Sequence, residues 1–305
     1  MRYILIDTDT ASDDAVALVM ALNHPNIQVE ALTVVAGNVP LDQAVQNALY
    51  TVALCGKDTP VYGGLAKPLL RELQTAQFIH GKDGLGDIGL PLSGRVPAGG
   101  NAIDVILDSI RRFPRELEII ALGPLTNLAI AFAKEPDLVN QVKHCYIMGG
   151  VGKGPGNVTS VSEYNIWADP EAAQIVFQSG VPITMIGWDI AVGYAAFDAN
   201  EVEAVRSLRT PLAKFCMDIQ GDRSELSKGK YIFTLPDPIA MAVALDGSIA
   251  TYVEEHFVEI SLSDNNTRGM TLIDYPMITQ KTPNTRVVLE ASKEKFLRML
   301  HDAVR

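Results

Sequence analysis

The sequence predicts an α/β fold, with a single open, mostly parallel sheet and helices on both faces, over one domain of residues 1–305. Short apolar runs, mostly rich in isoleucine and valine, alternate along the chain with segments of helical periodicity, as in βαβ units. Polar residues directly follow several of these runs. That placement is typical of a site at the carboxyl ends of parallel strands.

The elements follow in chain order. The apolar runs predicted as buried strands are Tyr3–Ile6, Val29–Val35, Leu117–Leu122, His144–Met148 and Ile183–Ile186. The helical patterns are Ala15–Leu22, Asp42–Cys55, Ala102–Arg112, Thr126–Ala133 and Pro170–Gln178. Residues 191–230 are more polar and helical, and residues 234–246 are predicted as a loop entering an apolar helix. Gly63–Gly100 and Gly221–Pro236 are predicted as long loops, which tend to be functional or mobile.

Composition narrows the class of protein. The formal charge of −11, from 25 basic and 36 acidic residues, argues against nucleic acid and anionic membranes as partners. The three cysteines, Cys55, Cys145 and Cys216, form neither a disulfide framework nor a metal-spaced cluster. No apolar run approaches the length of a membrane span, and no signal-like segment opens the chain. We therefore expect a soluble cytoplasmic protein.

Four aspartates lie within eight residues after the first predicted strand, namely Asp7, Asp9, Asp13 and Asp14. Carboxylates this close raise one another's pKa unless a positive charge lies among them. Lysine and arginine are absent from residues 3–56, so a bound metal cation is the economical counter-charge. N-capping by Ser12 or Asp13 is the alternative, but it does not explain Asp7 and Asp9.

Three more strand ends carry polar or glycine-rich turns, at Val34–Asn38, Ala121–Asn127 and Tyr146–Gly150. Parallel strands present their carboxyl ends to one edge of the sheet, so these turns should converge with the aspartates. Each turn alone is also an ordinary loop sequence. Together with the aspartates they indicate one site.

The motifs, taken in order, resemble those of the calcium-dependent nucleoside hydrolases over nearly the whole chain. The resemblance begins with Asp7-Thr-Asp-Thr-Ala-Ser-Asp-Asp-Ala. It continues through Val35-Ala-Gly-Asn38, His80-Gly-Lys-Asp-Gly-Leu-Gly86, Gly123-Pro-Leu-Thr-Asn-Leu-Ala129, Met148-Gly-Gly150, Ser162-Glu-Tyr-Asn-Ile-Trp-Ala-Asp-Pro-Glu-Ala-Ala173, Asp237-Pro238 and Thr267-Arg-Gly269. The first motif and the segment from Glu163 to Ala173 are the most specific.

The resemblance implies a role for each matched residue. It implies Ca²⁺ ligands at Asp9, Asp14, Asp237 and the carbonyl of Leu122, an all-oxygen set that suits calcium better than zinc. It implies that the ribose is held by Asp13, Asn38, Met148, Asn157, Glu163 and Asn165. Asp9 is also the implied general base toward a metal-bound water, which would cleave the N-glycosidic bond of a ribonucleoside through an oxocarbenium-like transition state. Family members commonly form homodimers or homotetramers.

The base end of the site departs from the family. Many members carry histidine directly before the late metal-binding aspartate, where this chain has Pro236, which has no proton to give. Proton transfer to the leaving base then falls to Tyr231 or His80, or is replaced by aromatic stacking. Trp188 and Tyr164 are further candidates for the substrate pocket. The competing readings are a core position for Trp188 and a surface turn for His80.

Two other functions stay open at this point. Ile6-Asp-Thr-Asp-Thr10 resembles the first motif of haloacid-dehalogenase-type Mg²⁺ phosphatases, with Asp7 as nucleophile and Asp9 as acid and base. That interpretation leaves Asp13 and Asp14 unexplained. A non-catalytic, Ca²⁺-dependent nucleoside or ribose binding protein is the third hypothesis, because of Pro236.

Overall fold

The computed structural model describes residues 1–221 and 228–305. The described strands are β1 Arg2–Thr8, β2 Ile27–Val34, β3 Val61–Gly63, β4 Leu117–Ala121, β5 His144–Met148, β6 Ile183–Ile186, β7 Ala196–Phe197, β8 Phe233–Thr234, β9 Ala250–His256, β10 Val258–Ile260, β11 Thr271–Ile273 and β12 Thr285–Ala291. The α-helices are α1 Ser12–Asn23, α2 Leu41–Leu54, α3 Gln77–His80, α4 Ala102–Arg112, α5 Thr126–Lys134, α6 Tyr164–Ala168, α7 Pro170–Phe177, α8 Trp188–Tyr194, α9 Ala199–Arg206, α10 Pro211–Asp218, α11 Pro236–Leu245 and α12 Lys293–Ala303.

Eight strands form one open sheet in the order β3-β2-β1-β4-β5-β6-β12-β9. All neighbours pair in parallel except β12 and β9, which are antiparallel. The predicted mostly parallel sheet is thus confirmed. Strands from both ends of the chain share it, since β1 begins at residue 2 and β12 ends at residue 291.

Alternation along the central strands sends apolar side chains to both faces of the sheet. In β1, Ile4 and Ile6 pack with α1, α2 and α11, whereas Leu5 packs on the opposite face with α4, α5 and α7. Both layers are completely covered, so the strands are apolar on both sides. The predicted helices on both faces of the sheet are confirmed.

All five predicted strands and all five helical patterns correspond to observed elements, within three residues at each end. The prediction was incomplete beyond Asp246, where no element was assigned but β9 to β12 and α12 form. The loop predicted at Gly63–Gly100 contains the short helix α3. The other long loop, Gly221–Pro236, falls partly on residues 222–227, which lie outside the described residues.

The cysteines lie mostly inside the protein. Cys145 and Cys216 are buried, Cys55 is half-buried, and none of the three is in a disulfide. Among the described residues, no helix combines the length and apolar character needed to cross a membrane.

Candidate active site

A cavity of about 810 Å³ lies at the carboxyl ends of the central strands. The sequence-predicted residues that line it are Asp13, Asn38, His80, Leu122, Met148, Asn157, Glu163, Tyr164, Asn165, Trp188, Tyr231 and Asp237. The remaining two, Asp9 and Asp14, are fully buried and lie outside its lining. The structure thus gathers the strand-end turns and the aspartates at one site, as the topology of parallel strands predicts.

Three buried carboxylates form a cluster at this cavity. Asp13, Asp14 and Asp237 each place an oxygen within 4.8 Å of the other two. Asp14 is fixed by its neighbours, because its Oδ1 accepts from the Thr8 hydroxyl at 2.5 Å and its Oδ2 from the Ala11 amide at 3.0 Å. Asp13, predicted as a ribose ligand, therefore lies where a metal could also contact it.

Helix α1 is not capped as the alternative reading proposed. Its N-cap is Ala11, and the Asp14 side chain reaches back to that residue's amide. Ser12 instead places its hydroxyl 2.9 Å from Nδ1 of His80. Likewise, Asp237 is not the N-cap of α11, because Leu235 holds that position and Pro236 begins the helix. Neither Asp13 nor Asp237 is therefore the N-cap of its helix, whereas Asp14 contacts the N-cap amide through Oδ2.

Asp9 is held close to two neighbouring strand ends. Its Oδ2 accepts from the backbone amide of Asn38 at 2.6 Å, whereas its buried Oδ1 has no hydrogen-bond partner among the described residues. A Cβ at Gly37 would lie 2.1 Å from Asp9 Oδ2, and one at Gly123 would lie 2.9 Å from the Asp9 amide nitrogen. Glycine at both turns is what lets the strand ends approach this carboxylate.

The buried carboxylates of this cluster repel one another, and no nearby lysine or arginine among the described residues neutralises them. Burial, followed by repulsion from Asp14, raises the pKa of Asp9 well above its ordinary value, and the same causes act on Asp237. Burial and the charge of Asp13 raise the pKa of Asp14 to about 7. In the described part of the chain, the imidazole of His80 comes closest to a counter-charge, with Nδ1 3.6 Å from Asp13 Oδ1, and it forms an ion pair there only when protonated. A divalent cation is the natural counter-charge for such a set.

Asp7 lies behind the cavity and has a supporting position. Its Oδ1 accepts from the Thr33 hydroxyl at 2.6 Å and from the side-chain amide of Asn127 at 2.9 Å. Burial raises the pKa of this carboxyl to about 7, against the effect of those two hydrogen bonds. The Asn127 side chain also accepts from the Leu65 amide at 2.9 Å, so the network ties β1 to the loop after β3.

Another wall of the cavity is built by α6 and the two residues before it. Glu163 caps this helix, since its Oε1 accepts from the Asn165 amide at 2.8 Å and its Oε2 from the Gly150 amide at 2.9 Å. The Asn165 side chain donates to the carbonyls of Leu122 at 2.7 Å and Met148 at 3.2 Å, while its buried Oδ1 has no partner. Burial raises the pKa of Glu163 to about 7. These contacts fix four of the predicted site residues against one another.

The remaining predicted residues lie on the loop side of the cavity. His80 is buried rather than part of a surface turn, and Trp188 is half-buried at the cavity wall rather than in the core. The Tyr164 hydroxyl donates to the Gln74 carbonyl at 2.7 Å. Asn157 is exposed, and its backbone amide donates to the Ser162 carbonyl at 3.1 Å.

The sequence matches the family model described as inosine-uridine preferring nucleoside hydrolase over residues 4–298. The chain belongs to this family. It is therefore an enzyme, a hydrolase of the class that acts on N-glycosyl compounds. Family membership rules out the phosphatase hypothesis, and the resemblance inferred from the motifs is confirmed.

Relatives match this nucleoside hydrolase along its full length. The pyrimidine-specific ribonucleoside hydrolase RihA of Salmonella schwarzengrund (strain CVM19633) is 36% identical, with 99% of this chain and 98% of the relative covered. Among solved structures, the plant nucleoside hydrolase PpNRh1 superposes with a TM-score of 0.92 at 31% identity, covering 99% of this chain and 98% of that one. A purine-preferring ribonucleoside hydrolase from Gardnerella vaginalis has a TM-score of 0.91 at 30% identity, with the same coverage.

The cavity of this nucleoside hydrolase also contains residues that the sequence did not reveal. Gln74, Thr75, Ala76, Phe78 and Ile79 line it, with Phe78 85% exposed at the rim. Val158 and Val192 are further exposed apolar residues of the lining. The sequence does show an apolar pair, Phe78-Ile79, directly before His80. The position of this pair at the cavity depends on a long-range hydrogen bond from the Ala76 amide to the Asn38 carbonyl, 2.9 Å.

Proposed function

We propose that this enzyme hydrolyses the N-glycosidic bond of ribonucleosides, releasing ribose and the free base, with Ca²⁺ as its metal. The observation that carries the proposal is the buried group of Asp13, Asp14 and Asp237 beside the cavity of a nucleoside hydrolase. A cavity of about 810 Å³ is within the usual size range of small-molecule sites.

The residues fit a calcium ion. The donors are carboxylate and carbonyl oxygens, which calcium prefers, and Asp9 Oδ1 is buried without a partner. Asp14 and Asp237, whose oxygens cluster with those of Asp13, would hold the ion together with Asp9 and the Leu122 carbonyl, the two ligands that the family resemblance adds. When bound, the cation offsets the carboxylate charge and lowers the pKa of a water that it contacts.

Asp9 is the general base of the proposed reaction. The Asn38 amide fixes one of its oxygens, so the other is oriented and available to accept a proton from the attacking water. Burial keeps bulk water from competing for that oxygen.

The sugar would be bound between the carboxylates and α6. Cleavage of the glycosidic bond develops positive charge on the ribosyl ring, and pre-oriented carboxylate and amide oxygens stabilise that charge. Glu163 and Asp13 offer such carboxylates, and Asn165 offers its unpartnered Oδ1. The backbone hydrogen bonds that fix Glu163 keep its side chain in place before the substrate arrives.

The leaving base would lie toward the loops, beside Trp188, Tyr231 and Pro236. Pro236 supplies neither a side-chain proton nor a backbone N–H. The proton donors on this side are His80 and Tyr231, and we propose that one of them protonates the base. His80→Gln and Tyr231→Phe distinguish the two, because the loss of the true donor lowers kcat more on ordinary nucleosides than on 4-nitrophenyl riboside, whose leaving group departs without a proton.

The test is ribose release from a panel of purine and pyrimidine ribonucleosides, with calcium and with a chelator. Uridine and cytidine head the panel because the 36% identical relative is described as pyrimidine-specific. We expect calcium-dependent release by the wild type and by the control Asp302→Asn, which alters an exposed carboxylate on α12. Nucleoside binding without release on any member would favour the non-catalytic binding protein instead.

We also propose that residues 1–305 act as one domain, since β1 and β12 share one sheet. A homodimer or homotetramer is expected from the family, and light scattering after size-exclusion chromatography measures it. A cytoplasmic location is part of the same proposal, and cell fractionation tests it.

A further inference from the structure

The motif Thr267-Arg-Gly269 has no role in the chemistry proposed above, yet it contacts the cavity wall that contains Glu163 and α6. It lies in the segment between β10 and β11, which crosses over residues 162–168. Gly269 has a φ of +71°, and a Cβ there would lie 2.5 Å from Trp167 Cα. The close approach of these two backbones therefore requires glycine.

Arg268 holds both ends of the crossed segment. At the start, its carbonyl accepts from the Ser162 hydroxyl at 2.6 Å. At the end, its guanidinium donates through Nε to the Trp167 carbonyl at 2.9 Å and through a terminal nitrogen to the Ala168 carbonyl at 3.2 Å. The last carbonyls of a helix have no intrahelical partner, so Arg268 satisfies two that α6 leaves open.

The same guanidinium lies over the ring of Trp167, a residue of the cavity wall. Its central carbon is 4.1 Å from the centroid of the Trp167 ring, within the range of a cation–π contact. Trp167 lines the cavity. Arg268 thus contacts α6, the short helix that also contains Tyr164 and Asn165.

We propose that Arg268 is a positioning residue for substrate binding, acting through α6 on Glu163 and Asn165. This inference rests on the proposed function, because it assigns the two residues it positions to the ribose. Helix α6 has only five residues, too few to be stable by itself. Its orientation therefore depends on outside contacts. The Arg268 side chain supplies two of them at the C-terminal end of the helix, and the Arg268 carbonyl accepts from Ser162 just before the N-cap.

Lysine cannot replace arginine here. A guanidinium donates from several nitrogens in one plane and stacks on an aromatic ring at the same time, whereas an ammonium is a compact point charge. Arg268→Lys keeps the charge and loses the stacked fork. Arg268→Met keeps only the apolar stem, and it serves as the second variant if the first changes too little.

The experiment measures kcat, KM and ribose affinity for Arg268→Lys and Arg268→Met, beside Arg298→Lys as a matched control. Arg298 is exposed and pairs only with Glu294 on its own helix in the described structure. We expect the Arg268 variants to lose between about tenfold and 100-fold in kcat/KM, because small displacements of positioned groups have effects of that size. The ribose dissociation constant should rise by a similar factor, since substrate and product share the sugar contacts.

A spectroscopic readout separates positioning from general instability. The chain has two tryptophans, so a Trp188→Phe background leaves Trp167 as the sole indole. Arg268→Lys should change Trp167 emission in folded protein, and ribose should change it less than in the arginine parent. Wild-type KM and ribose affinity in both Arg268 variants would overturn the proposal, as would a lowered Tm with those constants unchanged.

The failure of the two proposals can be told apart. If the wild type binds ribose but hydrolyses no nucleoside, the proposed reaction fails while ribose affinity still decides the role of Arg268. If the wild type binds no ribose, there is nothing for α6 to position, and the inference about Arg268 fails as well.

Discussion

Asp237→Asn should be less stable than the wild type in calcium, but at least as stable as the wild type in a chelator. The change removes one charge from three carboxylates whose oxygens lie within 4.8 Å of one another. At an effective dielectric constant of 20, each fully charged pair at that distance costs about 3.5 kcal/mol. Uptake of protons by the cluster lowers this cost. Without metal, Asp237→Asn should therefore be at least as stable as the wild type.

Calcium should stabilise only the wild type by a large amount. A ligand at 100 times its dissociation constant stabilises the folded state by about 2.7 kcal/mol. For 305 residues, an unfolding entropy of about 2.1 cal/mol/K per residue converts this to a Tm increase of about 4 °C. Asp237→Asn loses a ligand and a charge, so its increase at the same calcium concentration should be below about 1 °C.

The assay is calorimetric unfolding over a calcium titration, with a chelator reference and with Asp302→Asn as control. Asp302 is an exposed carboxylate that pairs with Arg305, so this control should keep the full calcium response. Should Asp237→Asn be destabilised equally in both buffers while its calcium shift stays intact, Asp237 would be a structural residue. The assignment of the metal site would then be wrong.

Three further changes test the site from other sides. At saturating calcium, Asp9→Asn should lose between about 100-fold and 10,000-fold in kcat, the range for a general base; single-turnover ribose release measures this, and unchanged kcat would refute the base assignment. Gly123→Ala places a Cβ 2.9 Å from the Asp9 amide and Oδ1, so kcat should fall at least about tenfold by displacement of the base, whereas Gly247→Ala, with open space around it, should not alter kcat. Phe78→Ala removes an 85% exposed ring from the cavity rim, so the free energy of unfolding should change by less than about 0.5 kcal/mol while KM for nucleosides rises and ribose affinity stays constant. A fall in ribose affinity would place Phe78 at the sugar instead.

The parts of the fold that sequence patterns predict are those with local periodicity. The central strands are buried on both faces and read as continuous apolar runs, so their positions and their shared edge follow from the sequence. Strands β9 and β12 lie at or near the edge of the sheet, and their mixed burial leaves no such run. Their antiparallel pairing depends on long-range contact, which local patterns do not encode.

The site likewise contains residues that sequence patterns predict and contacts that they do not. Asp9, Asp14 and Leu122 come directly before or after elements that the pattern identifies, so topology alone brings them together. Ser12 and Gln220 were missed because their roles depend on tertiary contacts. Ser12 lies against His80, and the Gln220 side chain donates to the Ser12 carbonyl at 2.7 Å across 208 residues of sequence. No spacing in the sequence signals that contact.

The two ends of the cavity differ in how they are built, and this difference follows from the elements that form them. The end proposed to bind the sugar is fixed by backbone groups of strand ends, as with the Asn38 amide on Asp9 and the Gly150 amide on Glu163. A substitution there disturbs the sheet itself. The base end is formed by loop and helix residues such as Phe78 and Pro236, whose side chains can change without altering strand register. Differences in base preference between nucleoside hydrolases of this fold should therefore map to the loop side, and exchange of Phe78 or Pro236 should change base preference while leaving ribose affinity intact.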